Sequence, residues 1–325
     1  MIKQYEKIID ILKTANSIAV FMHINPDCDC IGSEIALSLF MRKDGKKVAF
    51  FTPDLTTLDS ISDKYKFLPH IEEFNREELK NYDLAVGVDI GDAGRLGDVA
   101  FKKFVKCKKS VVIDHHEVHE NFAQYTLRES NAASTTQILY KIMKEYNESF
   151  IDKEIATLLF AGLLTDSGGF TFDNTTAETH IVAAELIERG AESSYISEKL
   201  LKSIEPNVFV LKNRVLSKTT FYENGRIGII IFREEDFRET NTSEKHTDGI
   251  INNVINVTSV DLAISIAETG DKKYKLSFRS KNEVNAAACA KCFGGGGHFR
   301  AAGCRMYGYF EDVLEKVLSA AKEML

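Results

Sequence analysis

The stretch "SIAVFMHINPDCDCIGSEIALSLFM", residues 17–41, decides how the chain folds. It opens with a short apolar run suited to a buried strand and closes with apolar residues recurring as on a helix. Between them, "HINPDCDC" (23–30) crowds a histidine, two aspartates and two cysteines into one loop. Pro26 fixes its own backbone and biases Asn25 to an extended form, so the loop leaves the strand in a defined direction. Asp27 and Asp29 lie two apart and can reach a common pocket. Gly32 and Ser33 are expected to open the helix, with the serine as cap. Three readings follow from these residues alone: a soft thiolate site for zinc, a hard site of His23, Asp27 and Asp29, or an Asx-rich turn that only caps a helix.

Outward from this stretch the same alternation continues. "KVAFF", "YDLAVGVDI" and "KSVVIDHH" read as strands, separated by helical patterns such as "GDVAFKKFVK". Strands alternating with helices at this spacing predict βαβ units, hence an α/β fold with a mostly parallel sheet flanked by helices. His23, Asp89 and Asp114 each follow the last apolar residue of a strand, and ligands of open parallel sheets bind at those carboxyl ends. Helical patterns then dominate to about residue 216. Strand patterns return with "TTFYENGRIGIIIF", a hairpin turning at "ENG", and with "KYKLSFRS". We expect a first domain over 1–190, a helical linker over 191–217 and a smaller α/β domain over 218–325.

A chain of 325 residues with 44% hydrophobic and 27% charged residues suits a soluble two-domain protein. The charged, amphipathic start and the lack of a long apolar run predict a cytoplasmic protein without membrane spans. Six cysteines in such a chain are expected to be reduced. The net charge of −7 argues against binding long nucleic acid through a general basic surface. Residues 271–305 are the exception, with eight Lys or Arg against two acids, a solvated face or a local site for a small anion.

Further clusters carry metal chemistry. In "VDIGDAGRLGD" Asp89 closes a strand, and Arg95 can hold a phosphate or a carboxylate. "VVIDHHE" sets Asp114, His115 and His116 after a buried strand, where imidazole is a common metal ligand and a carboxylate can orient it. "LLTDSGGF" puts Asp166 at the end of an apolar helix, where the helix dipole disfavours a carboxylate unless something positive compensates. If these clusters converge, four carboxylates repel one another until cations bind. Oxygen-rich ligands with one or two imidazoles favour manganese or magnesium over a thiolate-loving metal.

"HINPDCDCIGS", "VDIGD", "DHH" and "LLTDSGGF" resemble, in order, the four motifs of the DHH phosphoesterase family. Cys28 stands where that family usually has glycine or alanine. "SFRS" and "CFGGGGHFRAAG" are similar to the family's associated C-terminal domain. The resemblance implies a compact two-domain enzyme like the nanoRNase/pAp phosphatases and stand-alone dinucleotide phosphodiesterases, with its active site in the cleft between the domains. It implies two manganese ions, with magnesium or cobalt as substitutes. Asp89 would bridge them, His23 and Asp27 would hold one, and Asp29, His115 and Asp166 the other, leaving the thiols as packing residues. His116 would contact the phosphate and Asp114 would support it. Arg95, Arg279, Gly295, Gly296, Gly297, His298 and Arg300 would bind substrate, since a glycine run lets backbone N–H groups approach an anion. "CAKC" (289–292) has no second pair to complete a zinc site. Expected substrates are very short oligonucleotides, linear dinucleotides such as pApA, or pAp, with cyclic di-AMP as the alternative. A silent nucleotide sensor is the non-enzyme rival, and a homodimer is compatible with either.

Overall fold

The computed structural model describes residues 2–76, 81–116 and 120–325, with backbone alone for Ile2 and His298. The chain divides into two compact units, Met1–Ser203 and Ile204–Leu325. In the first, β1 (Ser17–Phe21), β2 (Lys47–Phe51), β3 (Leu84–Val88), β4 (Lys109–Asp114) and β5 (Tyr125–Arg128) form a parallel sheet in the order β2-β1-β3-β4-β5. Both faces are covered, which is why these strands read as continuous apolar runs. Ile18 and Val20 enter a large core shared with α1 (Ile2–Thr14), α2 (Cys28–Lys43), α4 (Thr135–Asn147) and α5 (Lys153–Asp166). Ala19 and Phe21 enter a smaller core with Phe51, Val112 and Phe104 of α3 (Asp98–Phe104).

Strand order reverses at β1, with β2 on one side and β3 on the other. Connections diverge at such a point and leave a crevice at the carboxyl ends of the strands. His23 and Asp89 follow β1 and β3 there. One local expectation is corrected: α2 starts at Cys28, not near Ser33, and its cap is Asp27, whose Oδ1 accepts from Cys30 N at 3.0 Å. Aspartate caps as well as serine does, and Pro26 lets the chain turn into the helix at once. Ser33 is buried inside the helix.

After α6 (Ala177–Glu188) and α7 (Ser193–Ser197), Ile196 and Leu200 still belong to the first core. Leu211 and Val215 of α8 (Pro206–Leu216) belong to a core of the second unit. That unit contains β6 (Thr220–Tyr222), β7 (Ile227–Phe232), α9 (Glu234–Thr240), α10 (Ile251–Ile255), β8 (Leu262–Gly270) and β9 (Lys273–Ser280). It continues with α11 (Ala286–Lys291), β10 (Gly296–His298), β11 (Ala301–Tyr307) and α12 (Phe310–Glu323). Its sheet has the order β10-β11-β9-β8-β7-β6 and is antiparallel except at β7–β8. One face packs Ile264, Leu276, Phe278 and Cys304 against α11 and α12. On the other, Ala263, Ala267 and Ile230 lie under α8 and α10. All six cysteines are free. Among the described residues no helix is long and apolar enough to cross a membrane.

Candidate functional site

The sequence clusters of the first unit meet at the carboxyl edge of its sheet, and Asp89 is at their centre. It follows β3 in the left-handed region, φ +61°, where a non-glycine residue is uncommon and points to a functional constraint. Its buried carboxylate has Oδ2 3.3 Å from His23 Nε2 and Oδ1 3.4 Å from His115 Nε2 and 3.6 Å from His116 Nδ1. His115 Nε2 is also 3.3 Å from Asp166 Oδ2 at the end of α5. Asp27 is half-exposed, with Oδ2 3.8 Å from His23 Nε2. Donor atoms of Asp89, His115 and His116 lie within 4.8 Å of one another, as do those of Asp29, His115 and Asp166 and those of His23, Cys30 and Asp89.

Sequence reasoning missed the element that holds two of these carboxylates. The N-terminus of α4 points at Asp29: Thr135 N donates to Oδ2 at 2.7 Å, Thr136 N to Oδ1 at 3.0 Å and Thr136 Oγ1 to Oδ1 at 2.6 Å. Thr135 Oγ1 donates to Asp89 Oδ1 at 3.0 Å. A helix N-terminus is a ready carboxylate cradle, and the run of hydroxyl residues in "ASTTQ" was the available signal. Gly162 of α5 completes the fit, because a Cβ there would lie 2.6 Å from both Asp29 Oδ1 and Thr136 Cγ2.

Crowded negative charge sets the electrostatics. Burial and the nearby Asp89 push the Asp29 carboxyl up to about 7. Burial, with Asp29 and Asp27 close by, lifts Asp166 well above the usual carboxylate range. Burial works against a charged His115, yet its bond to Asp166 and the charge of Asp89 raise it well above its ordinary value. The same contest, won by Asp89 and Asp27, raises His23. Without a metal, the site therefore gathers protons to offset its carboxylates.

A divalent cation fits this donor set better than protons do. Asp89 Oδ2 is buried and accepts no well-formed hydrogen bond. His23 Nδ1 lies 2.8 Å from the Ile24 carbonyl, to which its N–H can donate. Nε2 is therefore the nitrogen turned to Asp89, holding a proton there without metal and free to offer its lone pair to a cation. Cys30 is close enough to be a ligand, but its thiol donates to the Val88 carbonyl at 3.5 Å and accepts from His23 N at 3.4 Å. Burial also pushes both the Cys30 and Cys28 thiols well up, away from the thiolate a soft metal needs.

Two side chains border the cluster. His116 Nδ1 is held by Asp114 Oδ1 at 2.7 Å, and that bond keeps Asp114 low in spite of its burial. The His116 Nε2 edge faces Arg95 Nη1 at 3.2 Å, and Arg95 Nη2 reaches the His23 ring at 3.3 Å. Arg95 is thus beside the cluster rather than on a distant carboxylate.

In the second unit the glycine run is not a linker but the approach to β10 and its edge pairing with β11. A Cβ on Gly295 would lie 2.3 Å from Gly303 O, and one on Gly297 2.5 Å from Ala301 O, while Gly296 has open space beside it. Two of the three glycines singled out for anion binding are therefore needed by close packing, and Gly296 alone offers an unobstructed approach. Arg279 pairs across β9–β11 with Ala301, which pairs with His298. The His298 side chain lies outside the described residues. Arg300 donates to the Asn282 carbonyl and stacks over Phe299.

Comparison with known proteins agrees with both halves. Residues 17–163 match the DHH family, N-terminal domain, and residues 227–325 match the DHHA1 domain. The chain is 29% identical to the bifunctional oligoribonuclease and PAP phosphatase NrnA of Thermus thermophilus, over 98% of this chain and 93% of that protein. An exopolyphosphatase-related protein from Bacteroides fragilis superposes with a TM-score of 0.92 at 22% identity, covering 99% of this chain and 96% of the other. RecJ from Thermus thermophilus, solved in complex with Mn2+, superposes with a TM-score of 0.61 at 14% identity over 98% of this chain and 55% of RecJ. With the two domain types matched in order along the chain, the chain belongs to the DHH family, carrying a DHH domain followed by a DHHA1 domain.

Proposed function

We propose that this chain is a manganese-dependent phosphoesterase that hydrolyses very short oligonucleotides to mononucleotides and also takes pAp. The observation that carries the reading is the convergence of Asp27, Asp29, Asp89 and Asp166 with His23 and His115 at one sheet edge. It occurs in a chain similar over nearly its whole length to an oligoribonuclease and PAP phosphatase. Asp89 would serve both ion positions, with His23 and Asp27 holding one and Asp29, His115 and Asp166 holding the other. Divalent ions bound there neutralise the phosphate and make water nucleophilic at neutral pH.

The chain's own residues do the rest. Thr135 and Thr136 hold Asp29 and Asp89 so that neither carboxylate must reorganise as the reaction proceeds. The Arg95 guanidinium supplies N–H donors to non-bridging phosphate oxygens. Asp114 fixes the His116 ring through Nδ1, which leaves its Nε2 edge beside Arg95 to contact the phosphate. In the DHHA1 domain, Gly296 and Arg279 grip a second part of the substrate, with His298 beside them in the β10–β11 pairing.

One assay panel tests this: pApA, a short RNA, pAp and cyclic di-AMP, each with metal-stripped protein before and after manganese. Turnover of the linear short substrates with the highest specificity constants supports the reading. A preference for cyclic di-AMP moves the assignment to a cyclic dinucleotide phosphodiesterase. Binding without turnover of any of them makes the chain a sensor.

A further inference from the structure

The DHHA1-domain sheet leaves half of one face open. Along β9, Tyr274, Leu276 and Phe278 enter the core, so Lys273, Lys275, Ser277 and Arg279 share the opposite face. Along β11, Ala302, Cys304 and Met306 are core residues, and Ala301, Gly303, Arg305 and Tyr307 face outward. Strand register arranges these outward residues in rows across the sheet: Arg279 with Ala301, Ser277 with Gly303, Lys275 with Arg305, and Lys273 with Tyr307. Successive rows are roughly 7 Å apart, the length of two extended residues and comparable to the separation of neighbouring phosphates in an extended single strand.

Two features of these rows call for an anion. Lys275 and Arg305 stand directly opposite each other, an arrangement that destabilises a sheet when nothing offsets it. Among the described residues the one carboxylate in a salt bridge with either is Asp248, 4.0 Å from Lys275 and 86% exposed, so it compensates weakly. Arg279 is partly buried and donates to its own strand's Phe278 carbonyl; Asp248 favours its charge from a distance, but among the described residues neither Arg279 nor Arg305 makes a salt bridge. Between the cationic rows lies a row of Ser277 and Gly303, which continues to Gly296 of β10 and puts no bulk in the way. At the far end Tyr307 is 69% exposed, a flat ring of the kind on which a base stacks.

We propose that this open half-face is a track for the phosphodiester backbone of a short single-stranded oligonucleotide. Arg279 contacts one phosphate, the Ser277–Gly303 row lies under the next, the Lys275–Arg305 pair contacts the one after it, and Tyr307 stacks on a base. The track rests on the oligonucleotide reading of the function and deepens it: affinity should rise with each nucleotide until the four rows are filled. Chemistry therefore favours substrates a few nucleotides long over the bare dinucleotide.

The test uses the full chain in EDTA, with fluorescein-labelled oligoadenylates of dinucleotide and pentanucleotide length, followed by fluorescence anisotropy over a range of NaCl. In K275A/R305A the ratio of dinucleotide to pentanucleotide Kd should fall roughly 10-fold, as expected for losing a charge-assisted phosphate contact. The salt slope for the pentanucleotide should drop by about 0.7, the amount expected for one phosphate contact to a single strand. K275R/R305K, which keeps both charges, should retain both values. Equal weakening of the two lengths, or an unmoved pentanucleotide, overturns the track. If wild-type protein still hydrolyses the dinucleotide with manganese in that case, the track alone has failed. A wild-type chain that neither binds nor hydrolyses any nucleotide overturns the functional reading and the track with it.

Discussion

Thr136 offers the sharpest test of how the site is built. Thr136→Val keeps the β-branched shape but removes the hydroxyl that donates to Asp29 Oδ1 at 2.6 Å, leaving the two backbone amides in place. A hydrogen bond to a charged group is worth roughly 1.5–3 kcal/mol. Because that bond favours the ionised form, the Asp29 carboxyl, already pushed up to about 7 by burial and Asp89, should rise by roughly 1–2 units more. A metal must displace the proton to bind, so manganese affinity at neutral pH should fall about 5- to 50-fold. Calorimetric titration of metal-stripped protein reads this directly, with thermal unfolding in EDTA to check the fold. Thr136→Ser keeps the donor and should bind manganese nearly as the wild type does. A valine variant with undiminished affinity, or a serine variant equally impaired, would refute the cradle.

Four further outcomes follow from the same geometry. Asp89→Ala should abolish turnover on every substrate, since it removes the carboxylate that faces His23, His115 and His116; a folded variant keeping a tenth of the activity contradicts the bridging role. Cys30→Ala should leave manganese affinity within about threefold, because a protonated thiol tied to Val88 is a poor ligand; stoichiometric zinc that this change removes would show the opposite. In metal-free protein, Asp29 and Asp166 are raised and so are His23 and His115, so the native state binds more protons than the unfolded one above about pH 5. Its Tm should therefore fall as pH rises from 5 to 8, Asp29 contributing between about 4 and 7, and manganese should remove that fall; a flat metal-free profile contradicts this. Gly297→Ala should destabilise the DHHA1 domain by about 1–3 kcal/mol, given its φ of +145° and a Cβ 2.5 Å from Ala301 O, whereas Gly296→Ala should unfold at the wild-type temperature.

Much of this protein is written locally. Apolar runs covered on both faces, each ending in a polar cluster, identify a parallel sheet, because a strand buried on both sides must be apolar throughout. Strand-end placement then brings His23, Asp89 and His115 to one edge, because all strands of such a sheet point the same way. The basic run over 271–305 and its glycines were equally visible, being features of composition. What the sequence could not show is contact between residues far apart along the chain. That Thr135 and Thr136 hold Asp29 depends on where α4 begins relative to α2, more than a hundred positions away. That Gly295 and Gly297 pack against β11, whereas Gly296 stays open, depends on a three-residue pairing with no apolar period to reveal it. The opposition of Lys275 and Arg305 is a matter of strand register, which a shift of one residue would undo. Residue types and periods set the fold and the candidate ligands; register and helix placement, fixed by packing, decided which side chains hold them and which charges stand face to face.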